Sequence, residues 1–497
     1  MKIAIIKDDK LDYCHSAPFH PSVSYPEYPF QDTGTKNECY DRVRELFYRL
    51  GMDIDNYGRP DWNPLGTIIR PGDNVFIKPN LVSHFKPKGG EEALVTQGSV
   101  IRAVLDYANI ALRGTGTLTI GDAPYINTDF SKVVQDTSLN EIAEYYAQNA
   151  GIKLKILDLR LEKGELRSGR IKKRHLEGDP RGYAFVDLKH DSEHSRAGDY
   201  EKLRIAYYDR HQMAEHHNSG KNEYLIANSI LEADVILNVP KLKTHSKTAF
   251  SCALKNMVGI NGCKDMVPHH KAGSIADGGD EYLHKDPLID LSSRIKDEIP
   301  TTANLYKIYL LRGIYSLLFI SRLLQPAKNM YHVGSWYGNE TLPRTITDLN
   351  KIIFYADRSG VMCDTPQRRI FTVVDGIVAG EREGPMENQA KKCGVLVAGY
   401  NPVDVDIVCS MIMGFDHNKI PMIKYALHPI KYPLTQGDAS DIEVLSEKCN
   451  LFPLVYTAYN CHIEPPSGWK GHIEYEDQMG AKYGRSEAGA DTRPINI

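Results

Sequence analysis

The sequence predicts an α/β fold with a mainly parallel sheet, helices on both of its faces, large insertions and a C-terminal extension. Three observations predict it. Short apolar runs recur along the chain at residues 2–6, 74–77, 117–120, 154–158, 233–239, 371–375 and 394–398. Each has the length and near-continuous hydrophobicity of a strand buried on both faces. Segments with apolar residues at i, i+3, i+4 and i+7 separate the early runs, and that alternation is the signature of βαβ units.

In order, KIAII at 2–6 is the first strand. CYDRVRELFYRL at 39–50 has helical spacing. NVFI at 74–77 is a strand that runs into Lys78-Pro79-Asn80. SVIRAVLDYANIAL at 99–112 is a helix, and Gly114 and Gly116 turn the chain into TLTI at 117–120, which ends at Gly121-Asp122. A helix follows at 139–150 and a strand at 154–158. Residues 159–222 are polar and rich in Lys, Arg, His and Gly, an excursion from the core. ADVILNV at 233–239, FTVVD at 371–375 and GVLVA at 394–398 resume the core, and DVDIVCSMIM at 404–413 is a helix.

The chain of 497 residues is too long for one ordinary compact domain. The pattern divides into an α/β core over 1–300, a helical insertion over 285–345, the rest of the core over 346–430 and an extension over 431–497. The polar tail from about 465 reads as an extended arm. LYKIYLLRGIYSLLFISRLL at 305–324 is apolar, but Lys307, Arg312 and Arg322 leave no uncharged length that spans a bilayer. A packed helix is expected there, with a monotopic membrane contact or a dimer interface as the other readings.

A net charge of −4 gives no reason to expect a nucleic-acid partner. Nine scattered cysteines contain no pair at CxxC spacing, which removes support for zinc ribbons and iron–sulfur clusters. MKIAIIKDDK lacks the apolar core of a secretory signal. A cytoplasmic protein is expected, without a membrane span; a homo-oligomer is compatible with the sequence. GxxxxGK[ST], HExxH and GxSxG are absent, and Gly114-x-Gly116 precedes a strand where a dinucleotide fingerprint would follow one.

Four polar clusters lie at or after strand C-termini, where open α/β sheets place their ligands. Lys78 and Asn80 follow the first of these strands and could hold an anion. Asp122, in Gly121-Asp122-Ala123-Pro124, could serve as acid, base or cation ligand. The densest cluster runs from Asn238 through Lys241, Lys243, Thr244 and His245 to Lys255 and Asn256, then Lys264, Asp265, His269, His270, Asp280 and Glu281. Core packing would leave so many polar groups unpaired. The fourth is Asp375-Gly376 with a glycine-rich acidic stretch through Gly380, Glu381, Glu383 and Gly384, suited to a divalent cation. Surface turns and solvated loops are the plain alternatives. Asp404 and Asp406 read as structural, at the start of their helix.

FIKPNLV, TIGDAP, LNVPKLKTH, LKNMVGI, VDGI and GFDHNKIP resemble the domain of unknown function 362 family across most of residues 70–425. Some members of that family carry ferredoxin-type cluster domains. This chain lacks such a cysteine set, so no iron–sulfur cluster is expected. A more distant likeness is to the nickel-pincer lactate racemases. It implies His245 as an acid/base, Lys255, ten residues on, as the cofactor-attachment lysine, and His270 as a metal ligand. The chain departs from that pattern at Asp122, which stands in place of a catalytic histidine, and at Ala253 and Leu254, which stand in place of glycines beside the lysine. The nickel-pincer cofactor is therefore not expected.

The resulting expectation is a metal-dependent enzyme acting on a small anionic molecule, such as a hydroxy acid, a sugar acid or a phosphorylated compound. His245, Lys255 and Asp122 would be catalytic. Lys78, Asn80, Lys241, Lys243 and Asn256 would hold the substrate. His270, His269, Asp375 and Glu383 would hold a divalent metal. The alternative is a non-catalytic binding protein for a carboxylate or phosphate.

Overall fold

A computed structural model describes all residues except 35, 168–169, 206–209, 303, 324–330, 332 and 476–497. Its centre is a ten-stranded sheet. The strands are β1 (Lys2–Lys7), β2 (Asn74–Pro79), β3 (Thr117–Asp122), β4 (Leu154–Asp158), β5 (Val235–Val239), β6 (Lys241–His245), β7 (Ala249–Ser251), β8 (Arg369–Glu381), β9 (Gln389–Gly399) and β10 (Glu443–Leu445). Their order is β10-β1-β9-β8-β5-β2-β3-β4, with β6 and β7 attached alongside β8. From β8 to β4 every pairing is parallel, whereas β9 is antiparallel to both β8 and β1.

The period-two geometry of a strand sends alternate side chains to opposite faces. Here both faces are buried. Ile236, Val374, Val395 and Val397 join one apolar cluster, while Val235, Leu237, Val373 and Leu396 join the other. The longer helices are α1 (Glu38–Arg49), α2 (Gly98–Leu112), α3 (Leu139–Asn149), α4 (Pro287–Thr301), α5 (Leu305–Leu323), α6 (Thr341–Tyr355) and α7 (Pro402–Met413). Apolar residues of α1, α2 and α3 pack on one sheet face, and those of α6 and α7 on the other. This doubly covered sheet explains why the strands are near-continuously apolar in sequence.

Several boundaries differ from the sequence pattern. KLKTH, expected as a polar stretch leaving the core, is a fully buried strand, β6. It pairs parallel with β8 at Lys241↔Asp375 and Lys243↔Gly380, with a register shift between. The acidic glycine-rich stretch after Asp375 is likewise not a loop as far as Glu381. Backbone pairing with β9 on one side and β6 on the other keeps it extended. The excursion contains a hairpin, Glu162–Arg167 with Arg170–His175, and a pairing of Tyr183–Asp187 with Lys221–Ala227. The start of the polar tail is docked and not an extended arm. Trp469 is buried and donates from Nε1 to the Ser246 carbonyl at 2.6 Å. Residues 476–497 of that tail lie outside the described residues.

The expected helix at 305–324 is present as α5 up to Leu323; residue 324 is outside the described residues. Among the described residues no helix is long and apolar enough to cross a membrane. α5 packs on α4 in a separate small core built from Ile295, Ile299 and Ile308.

A buried polar cluster ties the N-terminal segment to the sheet. The Tyr13 hydroxyl donates to Asp375 Oδ1 at 2.6 Å and accepts from Lys241 Nζ at 2.5 Å. Lys241 Nζ also reaches Asp375 Oδ2 at 3.1 Å, and that oxygen accepts from the Gln97 amide at 3.0 Å. Lys241 and Asp375 are fully buried. Removing one charge of such a pair strands the other in a dry site. Asp375→Asn is expected to cost about 3–5 kcal/mol, measured as a fall in Tm; an unchanged Tm would remove this cluster from the account of the fold.

Candidate functional site

β2, β3 and β5 end in register, with Asn238 beside Lys78 and Ile77 beside Ile120. Their last residues therefore form one polar row. Lys78 is fully buried, and its ammonium lies 2.6 Å from Asp122 Oδ1. Asp122 Oδ2 accepts from the Leu81 amide at 2.7 Å. Asn256 crosses above the row and donates from Nδ2 to the Lys78 carbonyl and to Asn238 Oδ1, both at 2.8 Å. Its Oδ1 faces Lys78 Nζ at 3.4 Å and Asn80 Nδ2 at 3.5 Å.

Asn256 belongs to a 3-10 turn, Lys255–Ile260, that lies across the strand ends. Asp406 of α7 holds the start of this turn, accepting from the amides of Ala253 at 2.7 Å and Leu254 at 3.0 Å. Asp406 is therefore structural, as its place in the sequence implies, but it supports a different segment and not its own helix. Burial pushes its carboxyl up to about 7, against the two amide bonds that lower it. At the other end of the turn the Gly259 carbonyl accepts from the Ala123 amide at 2.7 Å.

Above this platform is a cavity of about 310 Å³. Asn80, Asp122, His245, Lys255, Asn256 and His269 line it, as do Lys247 and Lys264, with Val82, Tyr125, Ile205, Val258, Pro385 and Met386 as its apolar wall. His245 and Lys255, ten residues apart in sequence, thus share one cavity. The other assigned residues lie elsewhere. Lys78 is beneath the floor. Lys243 is buried, donating to the Leu94 carbonyl at 2.5 Å and Asn80 Oδ1 at 3.1 Å. Lys241 and Asp375 belong to the Tyr13 cluster. Glu383 accepts from the Ser467 amide at 2.8 Å, on the docked tail. His270 is buried outside the cavity with Nδ1 unpartnered.

The four residues assigned to a metal are therefore not brought together. Among the described residues no group of three or more His, Cys, Asp or Glu side chains is placed to hold a metal ion. The cavity offers two imidazoles, and one carboxylate already engaged by Lys78 and Leu81. Ala253 and Leu254, beside Lys255 in sequence, are buried in the core.

The two cavity imidazoles are fixed in opposite tautomers. His245 Nδ1 faces the Lys247 amide at 3.1 Å; an N–H can only donate, so Nδ1 accepts and the neutral ring carries its proton on Nε2. His269 Nδ1 faces the Val267 carbonyl at 2.7 Å; a carbonyl can only accept, so Nδ1 donates and Nε2 is a bare lone pair. Burial, then Lys255 and His269 for His245, and Lys247 for His269, hold both rings well below the usual imidazole range. Both are neutral near pH 7.

Lys247 and Lys264 were not among the assigned residues, although Lys264 stands in the dense polar segment. Their local sequences, Ser246-Lys247-Thr248 and Cys263-Lys264-Asp265, do not by themselves separate a cavity wall from a surface loop. Burial pushes Lys264 down to about 7, and Lys255 and Lys247 down to about 8. Asp122 offsets this for Lys264 and Lys255, as do Asp280 and Glu281 for Lys247. Lys264 Nζ donates to the Ala123 carbonyl at 2.6 Å. Among the described residues Lys255 Nζ has neither a hydrogen-bond nor an ion-pair partner.

A Cβ built on Gly259 would lie 1.9 Å from Asp122 Oδ1 and 2.7 Å from Lys78 Nζ. Only glycine lets the turn lie this close to the ion pair. Gly259→Ala is expected to lower stability by about 1–3 kcal/mol through this overpacking and to displace Lys255. A variant with wild-type Tm would contradict the close approach.

Residues 191–411 match the family described as Domain of unknown function (DUF362). That segment includes the turn, both imidazoles and all three cavity lysines, and it is narrower than the 70–425 suggested by short motifs. A thylakoid-associated protein of Synechocystis sp. is 25% identical over 220 residues, covering 44% of this chain and 49% of that protein. The chain thus spans about half the length of the curated relative it matches. No solved structure matches the chain.

Proposed function

We propose that the cavity, which lies in the segment that matches the DUF362 family model, binds a small anionic molecule and transfers a proton on it by way of His269 and His245. One observation carries this reading: the cavity is short of negative charge. Three lysines face it, while the single carboxylate in its wall is already paired with a fourth lysine beneath. Dry surroundings and mutual repulsion depress those amines. An anion entering the cavity would supply the missing charge and draw protons onto them.

The fixed tautomers supply the rest of the chemistry. His269 Nε2 is a lone pair that can accept a proton, and the His245 Nε2–H can donate one. Neutral imidazoles in a water-poor cavity act as base and acid without first changing charge. Lys255 sits in the same wall, placed to hold the carboxylate, phosphate or enolate oxygen on which charge develops. The apolar wall from Val82 to Met386 suits a ligand with a hydrocarbon portion. This proposal needs no resident metal. It favours an enzyme over a pure binding protein because a binding site requires the lysines but not two opposed tautomers.

The test is a thermal-shift panel of hydroxy acids, oxo acids, phosphate and sugar phosphates, followed by deuterium uptake from D2O into any stabilising ligand. Lys255→Met is expected to weaken binding by roughly tenfold or more, the scale of a lost charge-assisted contact. His269→Gln and His245→Gln should keep the binding and each reduce exchange by roughly 100-fold. Binding without exchange in the wild-type protein would leave the non-catalytic reading; no stabilising anion at all would defeat both.

The lysine shifts set the pH dependence. Affinity should be strongest where the lysines are protonated and should fall as pH rises through about 7 to 8. Isothermal titration across that window should also show proton uptake on binding. Proton release, or affinity that rises with pH, would contradict the charge argument.

A further inference from the structure

We infer that α5 is an interfacial helix that seats the protein on an anionic lipid surface. Its buried side is satisfied: Ile308 packs with Ile295 and Ile299 of α4, and Leu311, Ile314, Tyr315 and Leu318 close around them. The opposite side is not. Tyr306 is 88% exposed, and Tyr309, Leu310, Leu317 and Ile320 are each more than half exposed. These residues fall on one helix face at i, i+3, i+4 and i+7 spacing, with Gly313 among them. A contiguous apolar surface of this kind marks an interaction site.

The occupant follows from charge and side-chain chemistry. Over α5 the sequence contains Lys307, Arg312 and Arg322 and no Asp or Glu. Lys307 pairs with Glu298 of α4, and Arg312 flanks the apolar face from the other side. The acids of α4 are tied within the protein, Asp290 by Tyr282, Asp297 by Arg204 and Glu298 by Lys307. An apolar face bordered by cations and carrying tyrosines is the pattern of a helix that lies in the plane of a membrane interface. Two copies meeting through this face would instead bring the Arg312 side chains of both into the contact with no acid on α5 to offset them. The same interrupting cations that stop α5 from spanning a bilayer suit it to anionic headgroups, each basic residue adding roughly fivefold to the affinity.

The experiment is flotation of the full chain with phosphatidylcholine vesicles made with and without phosphatidylserine. Flotation is expected with phosphatidylserine, weakened by salt, and little without it. The double variant Leu310→Glu and Leu317→Glu should lose about tenfold or more of that binding at unchanged Tm, because both side chains are exposed. Tyr309→Trp gives a reading that does not depend on a disruptive change: its emission should shift to the blue on vesicles. Trp62, Trp336 and Trp469 are buried and provide a constant background. Absence of flotation, equal flotation on both vesicles, or no Tyr309→Trp shift would overturn the inference. A lipid-free dimer dissolved by the double variant would overturn it in favour of a second copy.

Discussion

The Lys78–Asp122 pair is the constraint on which the site depends. It sits where β2 and β3 end and where the backbone of the sheet ceases to provide partners. A lysine buried without exposure at that point needs a carboxylate, and Asp122 supplies it at 2.6 Å. Once paired, the two charges leave the cavity floor neutral. Asn256 then bridges β2 to β5, and Gly259 allows the turn to lie directly on the pair. The walls, with their surplus of lysine, stand on this neutral base. If Lys78 had been free, as an anion-binding residue would require, the floor would carry a charge and the turn could not pack against it.

The same economy of charge separates the two polar centres of the protein. Asp375, Lys241 and Tyr13 pair with one another, and that cluster is a fastening between the N-terminal segment and β8. The cavity groups do not satisfy one another. Lys255 has no partner among the described residues, and His245 and His269 use one ring nitrogen each and present the other. Mutual pairing is what a structural cluster requires, while polar groups left open at a cavity are available to a ligand.

The sequence by itself determined the class of fold and where the polar chemistry would gather. The apolar runs had to be strands covered on both faces, because alternate residues of 235–239 and 373–374 could otherwise not all be buried. Strand ends had to carry polar groups, since those are the points where Lys78, Asp122 and Asn238 follow the apolar runs. Tertiary structure alone decided which polar residues face a cavity and which face one another. Lys78, Lys241 and Lys243 find partners from distant segments, Asp122, Tyr13 with Asp375, and Asn80 with the Leu94 carbonyl, whereas Lys247, Lys255 and Lys264 line the cavity. Pairing across tens to hundreds of residues leaves no trace in local spacing. The tautomers of His245 and His269 were also beyond the sequence, because each is set by which backbone group, an N–H or a C=O, the folded chain presents to Nδ1.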